Sequence, residues 1–406
     1  MKQPEIRFDK KYDVIVGGAG VAGVAAALEA ARSGLEVALV EKTIFSGGLA
    51  TTGMVNLYLP LCDGNGRQVI FGIAEELLHL SYQYGPGDTP DFWKNGNPMQ
   101  SGPRFMTRFS PASFILALDE ILQKEGVHIW YDTLICDVEM SGDRTEGIHV
   151  ENKSGRGILR ADVIIDATGD ADIAWRAGAE CTGEKNFVSL WAAECSLEAA
   201  EEAVQSGNAD ALMKIVRVGG DNAGRGQPVE ARLLSGVDGA EVSRMILDSR
   251  TLLLHHYKQK YEQGKDRHMQ YPICLPAMAD FRRTRRIAGQ FTLSDNMDGQ
   301  RFNDSIGLTG DWRKKGPVWE IPYGSLVTHE VSNLITAGRC ISSAGDAWEV
   351  MRVIPTAALT GQIAGLAATL SLRDKREAAG LDAKTIQKAL EEKKIPYHLA
   401  DLPELP

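Results

Sequence analysis

The sequence has few of the features that mark a metal-binding or disulfide-stabilised protein. It contains six cysteines in 406 residues, and no two of them form a C-x-x-C pair. Structural zinc sites need such pairs, or cysteines combined with suitably spaced histidines. The spacing therefore predicts no metal site, and we expect the cysteines to be reduced thiols in the core.

A long apolar run and an excess of positive charge are also missing. A membrane-spanning helix needs about 18 or more consecutive apolar residues, and no segment has them. The polar start, Met1–Lys11, does not resemble a secretion signal, so a cytoplasmic location without membrane insertion is expected. The net charge of -10 provides no general basic surface for phosphate backbones, and nucleic acid is not an expected partner.

The chain does have the length and composition of a two-domain globular protein. Hydrophobic residues make up 44% and charged residues 24%, which allows a sizeable core. The predicted domains are a discontinuous nucleotide-binding domain (1–55, 108–186 and 321–373), an inserted substrate or cap domain (56–107 and 187–320) and a C-terminal helical tail (374–406).

The first 170 residues alternate strands and helices. Tyr12–Val16 is an apolar, β-branched strand, Val21–Ala31 an alanine-rich helix and Glu36–Val40 the next strand. A helix over Ser110–Lys124 follows, and turn signals then separate short strands up to Val163–Ala167. The pattern predicts an α/β fold: a Rossmann-like three-layer FAD/NAD(P)-binding domain with a β-meander and an inserted α+β cap domain.

A glycine motif lies between the first strand and the first helix. In Gly18-x-Gly20-x-x-Gly23, the glycines allow a tight turn, close approach of a pyrophosphate and close helix–strand packing. Glu41 ends the second strand, where an acidic side chain accepts ribose hydroxyls. The residues predicted to bind the dinucleotide here are Gly18, Gly20, Val21, Ala22, Gly23, Glu41 and Lys42.

NAD and FAD share this fingerprint, so later segments must distinguish them. The glycine-rich stretch Ser46–Gly53 could approach a flavin ring, a strand ends at Thr168–Asp170, and Leu334–Cys340 precedes another helix. Together these segments predict contacts along one extended cofactor, FAD. The residues are Gly48, Leu49, Ala50, Thr51, Ala167, Thr168, Gly169, Asp170, Gly338, Arg339, Arg352, Pro355, Thr356 and Ala357.

Several blocks resemble the FAD-dependent oxidoreductases of the glutathione-reductase-type flavin fold, related to the fumarate reductase and succinate dehydrogenase flavoproteins. The blocks are Val14–Lys42, Gly47–Gly53, Val150–Ala179, Arg282–Phe291 and Ile321–Ala368. The resemblance implies an FAD-dependent oxidoreductase. We expect the enzyme to transfer hydride between flavin N5 and a small polar organic substrate, either a carboxylate or sugar-like. Arg283 and Ala344–Ala347 depart from the family's usual residues, so the relatives' substrates are not carried over.

Positive charge beside the flavin is expected to stabilise its reduced form. Arg352 is the candidate, together with the N-terminus of the following helix. Pro355 at the first helical position needs no N–H partner, and Thr356, Ala357 and Ala358 would offer free amides toward the ring edge. The resemblance places this helix at the flavin.

Other candidates for catalysis are basic. Arg282 and Arg286 belong to a cluster, Arg282–Arg286, that could grip a substrate carboxylate; a solvated basic face is the alternative. In a helix, these two lie one turn apart. Among the histidines, His329 is the preferred general base, because an imidazole titrates near neutral pH.

The predicted cap changes character. Polar helices are expected over Leu197–Val218 and Val242–Gln263.

Gly361 and Gly365, in the helix after the flavin strand, indicate close packing against the nucleotide domain. Four aromatic residues could wall a pocket or belong to the core. They are Trp312, Trp319, Tyr323 and Trp348.

Three functions remain open at this point. The first is a dehydrogenase or reductase, whose electrons pass between a small-molecule substrate and an electron acceptor; no second glycine motif for NAD(P)H is present. The second is a flavin monooxygenase or polyprenyl-type reductase using NAD(P)H. The third is a non-catalytic flavin-binding sensor or structural protein. A homo-oligomer is a further possibility.

Overall fold

The computed structural model describes residues 5–89 and 106–402. Residues 1–4, 90–105 and 403–406, which fall in the predicted spans 1–55, 56–107 and 374–406, lie outside the described residues. The helices are α1 (Val21–Arg32), α2 (Ile73–Tyr82), α3 (Pro111–Lys124), α4 (Asp172–Arg176), α5 (Leu197–Ser206), α6 (Gly239–Glu262), α7 (Gly345–Met351), α8 (Ile354–Asp374) and α9 (Ala383–Glu392). The strands are β1 (Phe8–Gly17), β2 (Val37–Val40), β3 (Leu57–Tyr58), β4 (Thr107–Arg108), β5 (His128–Trp130), β6 (Leu134–Ser141), β7 (Arg144–Asn152), β8 (Gly155–Asp166), β9 (Cys181–Gly183), β10 (Lys185–Asn186), β11 (Ser189–Ser196), β12 (Lys214–Gly219), β13 (Leu234–Ser235), β14 (Gln270–Cys274), β15 (Arg285–Ile287), β16 (Ser305–Gly310), β17 (Val318–Pro322) and β18 (Leu334–Thr336).

The main sheet has seven strands in the order β5-β2-β1-β8-β7-β6, with β18 also paired to β8. Strands β5, β2, β1, β8 and β18 are parallel, whereas β6, β7 and β8 form an antiparallel meander. Gly17 pairs with both Val40 and Asp166, and Asp166 pairs with Thr336. The carboxyl ends of four parallel strands therefore meet at one edge, where α/β folds bind ligands. The predicted fold class, including the meander, is confirmed.

Both faces of the parallel sheet are buried, as expected for parallel strands. Val14 and Val16 of β1 point into the core formed with α1 and α8, whereas Ile15 points into a second core formed with the meander and α4. Successive side chains of β1 point to opposite faces of the sheet, so this strand contributes to both cores.

Helices α1 and α8 pack unusually close together. A Cβ on Gly361 would lie 2.0 Å from the carbonyl oxygen of Ala22, and one on Gly365 would lie 2.4 Å from that of Ala26. Any larger side chain would push the helices apart. The prediction that these glycines serve close packing is confirmed.

A separate antiparallel sheet, β12-β11-β14, carries its own small core. Helix α6 covers one face of it, with Leu253 and Tyr257 packed against Leu190 and Ala192. The prediction of a helix over Leu197–Val218 is wrong in its second half, because α5 ends at Ser206 and β12 follows. In β12 the side chains alternate between two faces, which a helical interpretation cannot represent.

The hydrophobic clusters to which buried residues belong can be compared with the predicted domains, whose boundaries remain a prediction. Residues 188–281 form two small clusters of their own. In contrast, Tyr58, Leu78 and Leu308 belong to the large core shared with α1 and α8. The tail contributes to the same core through Ile386 and Leu390 of α9.

Within the described residues, no single helix is long and apolar enough to cross a membrane. Helices α7 and α8 reach that length and apolarity only together, and they are bent by 81° relative to each other.

Candidate functional site

The turn after β1 is built from glycines for which side chains have no room. Gly18 has φ +91°, and a Cβ there would lie 2.6 Å from the carbonyl oxygen of Ala167. A Cβ on Gly23 would lie 1.8 Å from the carbonyl oxygen of Gly18. Gly20 differs, because nothing lies within 4 Å of an added Cβ. Open space therefore lies in front of α1, where backbone amides and the helix dipole favour a pyrophosphate.

Glu41 is buried beside this turn. Its Oε2 accepts a hydrogen bond from the Ala19 amide at 2.9 Å, and its Oε1 accepts one from Thr43 at 2.8 Å. Each carboxylate oxygen has further lone pairs, so the group can still accept ribose hydroxyls. Lys42, predicted to bind the cofactor too, is exposed.

The Gly48 segment lies against the glycine turn. The Gly47 amide donates to the carbonyl oxygen of Ala19 at 2.7 Å, and a Cβ on Gly48 would lie 3.0 Å from the Gly20 Cα. Thr51 holds the segment's shape by donating to the carbonyl oxygen of Ser46 at 2.6 Å. Two predicted cofactor segments are thus adjacent in space.

The Thr168–Asp170 turn is organised by buried Asp166. Its carboxylate accepts hydrogen bonds from the amides of Ile173 and Ala174, both at 2.9 Å, and from the Thr168 hydroxyl at 2.7 Å. Burial raises the pKa of Asp166 above its ordinary value, although these hydrogen bonds oppose the shift. The carboxylate therefore fixes where β8 turns into α4.

Arg339 closes the same turn from the β18 side. It donates to the carbonyl oxygen of Gly169 at 2.8 Å and pairs with Asp170 at 2.7 Å. Gly338 touches α1, since a Cβ there would lie 2.9 Å from that of Ala22. The structure thus gathers the predicted cofactor residues of three separate segments around the start of α1.

The start of α8 differs in detail from the prediction. The helix begins at Ile354, so Pro355 is its second residue, and the Ala357 amide donates to the carbonyl oxygen of Val353 at 2.8 Å. The amide of Ala357 is therefore not free, and that of Ala358 falls within the intrahelical ladder. Ile354 and Thr356 retain first-turn amides, and the Thr356 hydroxyl bonds that of Thr309 at 2.8 Å.

Arg352 lies immediately before this helix. Its guanidinium donates to Glu349 at 2.5 Å and to the side chain of Asn222 at 3.3 Å. Burial lowers its pKa, an effect that Glu349 opposes and nearby Arg282 reinforces. The buried Nε has no hydrogen-bond partner among the described residues. Buried polar groups normally have a hydrogen-bond partner, so this N–H is an exception that needs an explanation.

A cavity of about 720 Å³ opens beside the Gly48 segment and the start of α8. One part of its wall contains Leu49, Ala50, Arg352 and Ile354. Another part comes from β11, β12, the loop 219–225 and residues 280–282. The residues that line it are Leu49, Ala50, Val55, Leu57, Leu59, Met106, Ser189, Trp191, Arg217, Val218, Gly219, Gly220, Asp221, Asn222, Ala223, Arg225, Asp280, Phe281, Arg282, Trp312, Arg313, Arg352, Val353 and Ile354.

The arginines of the cluster Arg282–Arg286 diverge, because Arg285–Ile287 is a strand rather than part of a helix. Arg282 lines the cavity. Arg286, predicted with it, does not; it donates to the carbonyl oxygen of Ile287 and lies 5.7 Å from the Trp348 ring centroid. Arg283 pairs with Glu184 at 2.7 Å. The cluster therefore contributes one arginine to the cavity.

His329 requires a correction. It is exposed, in a bend after the loop that follows β17, and it does not line the cavity. A general base must reach the substrate, so the structure gives this residue no catalytic position there. Of the aromatic candidates, Trp312 lines the cavity, whereas Trp319, Tyr323 and Trp348 are buried in the core.

Three residues of the cavity were missed by the sequence interpretation. Trp191 on β11 and Arg217 on β12 are paired in register, and the Arg217 guanidinium carbon lies 3.7 Å from the Trp191 ring centroid. Buried Asp280 accepts a hydrogen bond from Ser189 at 3.0 Å. The available sequence signal was that Trp191 lies between the apolar residues Leu190 and Ala192, as in a strand with two different faces. Strand β12, which pairs with this segment and carries Arg217, had been predicted to be helical.

The sequence matches the family described as FAD dependent oxidoreductase over residues 13–189 and 237–390. It is 41% identical over 70 residues to the thioredoxin reductase of Ureaplasma parvum serovar 3. That match spans 17% of this chain and 23% of the relative.

Among solved structures, a geranylgeranyl bacteriochlorophyll reductase-like protein from Thermoplasma acidophilum superposes with a TM-score of 0.51 at 13% identity, covering 97% of this chain and 86% of the other. A p-nitrophenol 4-monooxygenase from Pseudomonas putida gives a TM-score of 0.44 at 13% identity, covering 93% and 83%. The first of these likenesses supports the fold.

Proposed function

The chain belongs to the FAD-dependent oxidoreductases, and we propose that it transfers hydride between FAD and a small polar organic substrate, a carboxylate or a sugar-like compound, bound in the 720 Å³ cavity. The observation that carries the proposal is the position of this cavity between the Gly48 segment and the start of α8. FAD supplies the hydride chemistry at N5 when it is bound. The residues of this chain would bind and orient the substrate and move its proton.

The cradle around α1 fits a dinucleotide. Gly18, Gly20 and Gly23 would hold the pyrophosphate, since a Cβ is excluded at the first and third and open space faces the second. Glu41 would accept the ribose hydroxyls. The remaining predicted contacts would follow the cofactor toward the cavity. They are Val21, Ala22, Gly48, Leu49, Ala50, Thr51, Ala167, Thr168, Gly169, Asp170, Gly338, Arg339, Pro355, Thr356 and Ala357.

Arg352 would face the flavin end of the cavity. Its Nε is buried, and burial lowers its pKa, so this cation has little contact with water. A poorly solvated cation stabilises negative charge that develops beside it. Glu349 neutralises part of the charge, so the expected effect on the reaction is moderate.

Oxidation of a substrate C–H bond also releases a proton from the substrate, and the cavity must hold an acceptor. Of the residues that the structure describes, two carboxylates line it, Asp221 and Asp280. Asp221 is engaged within its own loop, where it accepts hydrogen bonds from Ala223 and Arg225. Asp280 has one hydrogen bond, from Ser189, and we propose it in place of His329 as the general base.

The domain division follows the same evidence. We propose that the cap extends from about residue 187 to 284, because its buried residues form separate clusters. Residues 57–82 and 293–326 contribute side chains to the core of α1 and α8 and would belong to the FAD side.

The test is anaerobic bleaching of the purified yellow protein. A panel of 2-hydroxy acids, saturated carboxylic acids and aldoses is added without any nicotinamide cofactor, and flavin absorbance near its visible maximum is followed. Bleaching by one of these compounds alone supports the proposal. Bleaching only by NADH or NADPH supports the monooxygenase or polyprenyl-type reductase instead. A flavin that none of them bleaches favours a non-catalytic flavoprotein.

A further inference from the structure

The charges of the cavity are uneven. Among the described residues that line it, five are arginines and two are aspartates, although the whole chain has a net charge of -10. Positive charge is therefore concentrated where a substrate would enter. An excess of one sign in a cleft attracts ligands of the other sign.

Three of these arginines already have acidic partners. Arg225 pairs with Asp221 at 2.7 Å, Arg313 with Asp346 at 2.9 Å, and Arg352 with Glu349 at 2.5 Å. For Arg217 and Arg282, by contrast, no carboxylate of residues 5–89 or 106–402 lies within 4.0 Å. These two guanidiniums are the ones with charge left to pair with a ligand.

The Arg217 guanidinium is positioned by contact with the Trp191 ring. The guanidinium carbon lies 3.7 Å from the ring centroid, so the planar group stacks on the indole and its N–H edge remains available. Partial burial and the charge of Arg108 lower the pKa of Arg217, and the charge of Asp280 opposes that shift. A bound anion would likewise favour the charged guanidinium.

The rest of the wall is largely apolar. Leu57, Leu59, Met106, Phe281 and Trp312 line the cavity with Trp191. A ligand that carries only charged groups would leave these apolar side chains without an apolar partner. A carboxylate with a planar, apolar body meets both the cations and the walls.

We propose that Arg217, stacked on Trp191, and Arg282 form a carboxylate receptor, and that the substrate class is a carboxylate with an aromatic or otherwise planar apolar body. This inference rests on the proposed function, since it names the substrate of that same cavity. Arg217 is a binding residue here: it fixes the carboxylate, and the hydride and proton are exchanged elsewhere on the substrate.

The test uses benzoate as the probe, with benzamide and fumarate as matched compounds. Binding to the FAD-loaded protein is measured by calorimetry and by the change in the flavin absorption spectrum. We expect benzoate to bind and both benzamide and fumarate to bind at least roughly tenfold more weakly, because one lacks the charge and the other the apolar body.

Two variants locate the site. Arg217→Gln is expected to weaken benzoate binding by roughly ten- to a hundredfold, the value of a charge-assisted hydrogen-bonded contact. Arg244→Gln is the matched control, because Arg244 is 64% exposed, is paired with Asp248 at 2.8 Å and does not line the cavity. It should bind benzoate as the unaltered protein does. FAD content and melting temperature, measured on each variant, show that it is folded.

The inference is overturned if benzamide or fumarate binds as tightly as benzoate, if benzoate does not bind, or if both variants lose binding equally. It fails separately from the proposed function. Selective benzoate binding in a protein whose flavin no carboxylate reduces would leave the receptor standing and refute hydride transfer. Flavin reduction by an acid whose affinity is independent of Arg217 would support hydride transfer and refute the receptor.

Discussion

The turn around α1 and the 720 Å³ cavity offer a ligand different parts of the chain. At the turn the groups offered to a ligand are backbone amides, and Gly18 and Gly23 are sites where even a methyl group collides with backbone. In the cavity the groups offered are side chains of Arg217, Arg282 and Asp280, carried by strands and loops whose backbone does not depend on them. Substitutions at the turn should therefore act on cofactor retention as a whole. Substitutions in the cavity should change rates and affinities by degrees and leave the cofactor bound.

The largest effect is expected for Gly20→Glu. Open space surrounds an added Cβ at this position, so the protein should fold, but a carboxylate would stand where the pyrophosphate binds. The purified variant should be colourless, with a circular dichroism spectrum like that of the unaltered protein.

Gly239→Glu provides the control, because Gly239 also has open space and begins α6 of the cap. It should remain yellow. Full FAD occupancy in Gly20→Glu would remove the distinction between the two regions.

Next in size is Asp280→Asn. Removing a general base typically costs roughly a hundredfold or more in rate, so anaerobic flavin reduction should slow by about that factor while FAD content is unchanged. Asp248→Asn, a cap carboxylate paired with Arg244, is the control. Reduction of the Asp280→Asn flavin at the unaltered rate would show that the proton leaves by another route.

A smaller effect is expected for Arg352→Gln. Because Glu349 already neutralises part of this charge, the variant should retain FAD and reduce it roughly tenfold more slowly. Stopped-flow measurement of flavin reduction, with Arg244→Gln alongside, checks this. Loss of FAD from Arg352→Gln would mean that the Arg352 side chain itself helps to hold the cofactor.

The smallest effect is expected for Asn222→Ala. The variant loses one hydrogen bond of 3.3 Å from Arg352, so we expect KM to rise by roughly two- to threefold with kcat unchanged. Asn222→Asp should raise KM for a carboxylate further, since it adds negative charge to the cavity. A fall in KM for this second variant would contradict an anionic substrate.

The backbone-built half of the site was predictable from sequence. Gly18, Gly20 and Gly23 occur at fixed spacing between a strand and a helix, and the requirement for missing side chains is itself a sequence signal. Glu41 was predictable for the same reason, since its distance from the turn is set by one helix and one strand. The family resemblance then identified FAD, which the family match confirms.

The side-chain half was not predictable in this way. Trp191 and Arg217 are adjacent only because β11 and β12 pair, and a helical interpretation of residues 197–218 removed that pairing. Arg286 was grouped with Arg282 because the two would lie one turn apart in a helix, but Arg286 lies in strand β15 and Arg282 precedes that strand, so no helical face brings them together. His329 was chosen because an imidazole titrates near neutral pH, and that property does not predict whether the side chain lies in a cavity or on the surface.

The contact between α1 and α8 has a consequence for the order in which the protein can mature. The side-chain amide of Gln362 on α8 donates a hydrogen bond to the carboxylate of Glu29 on α1, and the two residues are separated by 333 positions. During synthesis the glycine turn therefore leaves the ribosome long before the helix that packs against it, and β18 is equally late. We expect FAD uptake to follow completion of the chain, so that ribosome-bound fragments ending before α8 remain cofactor-free.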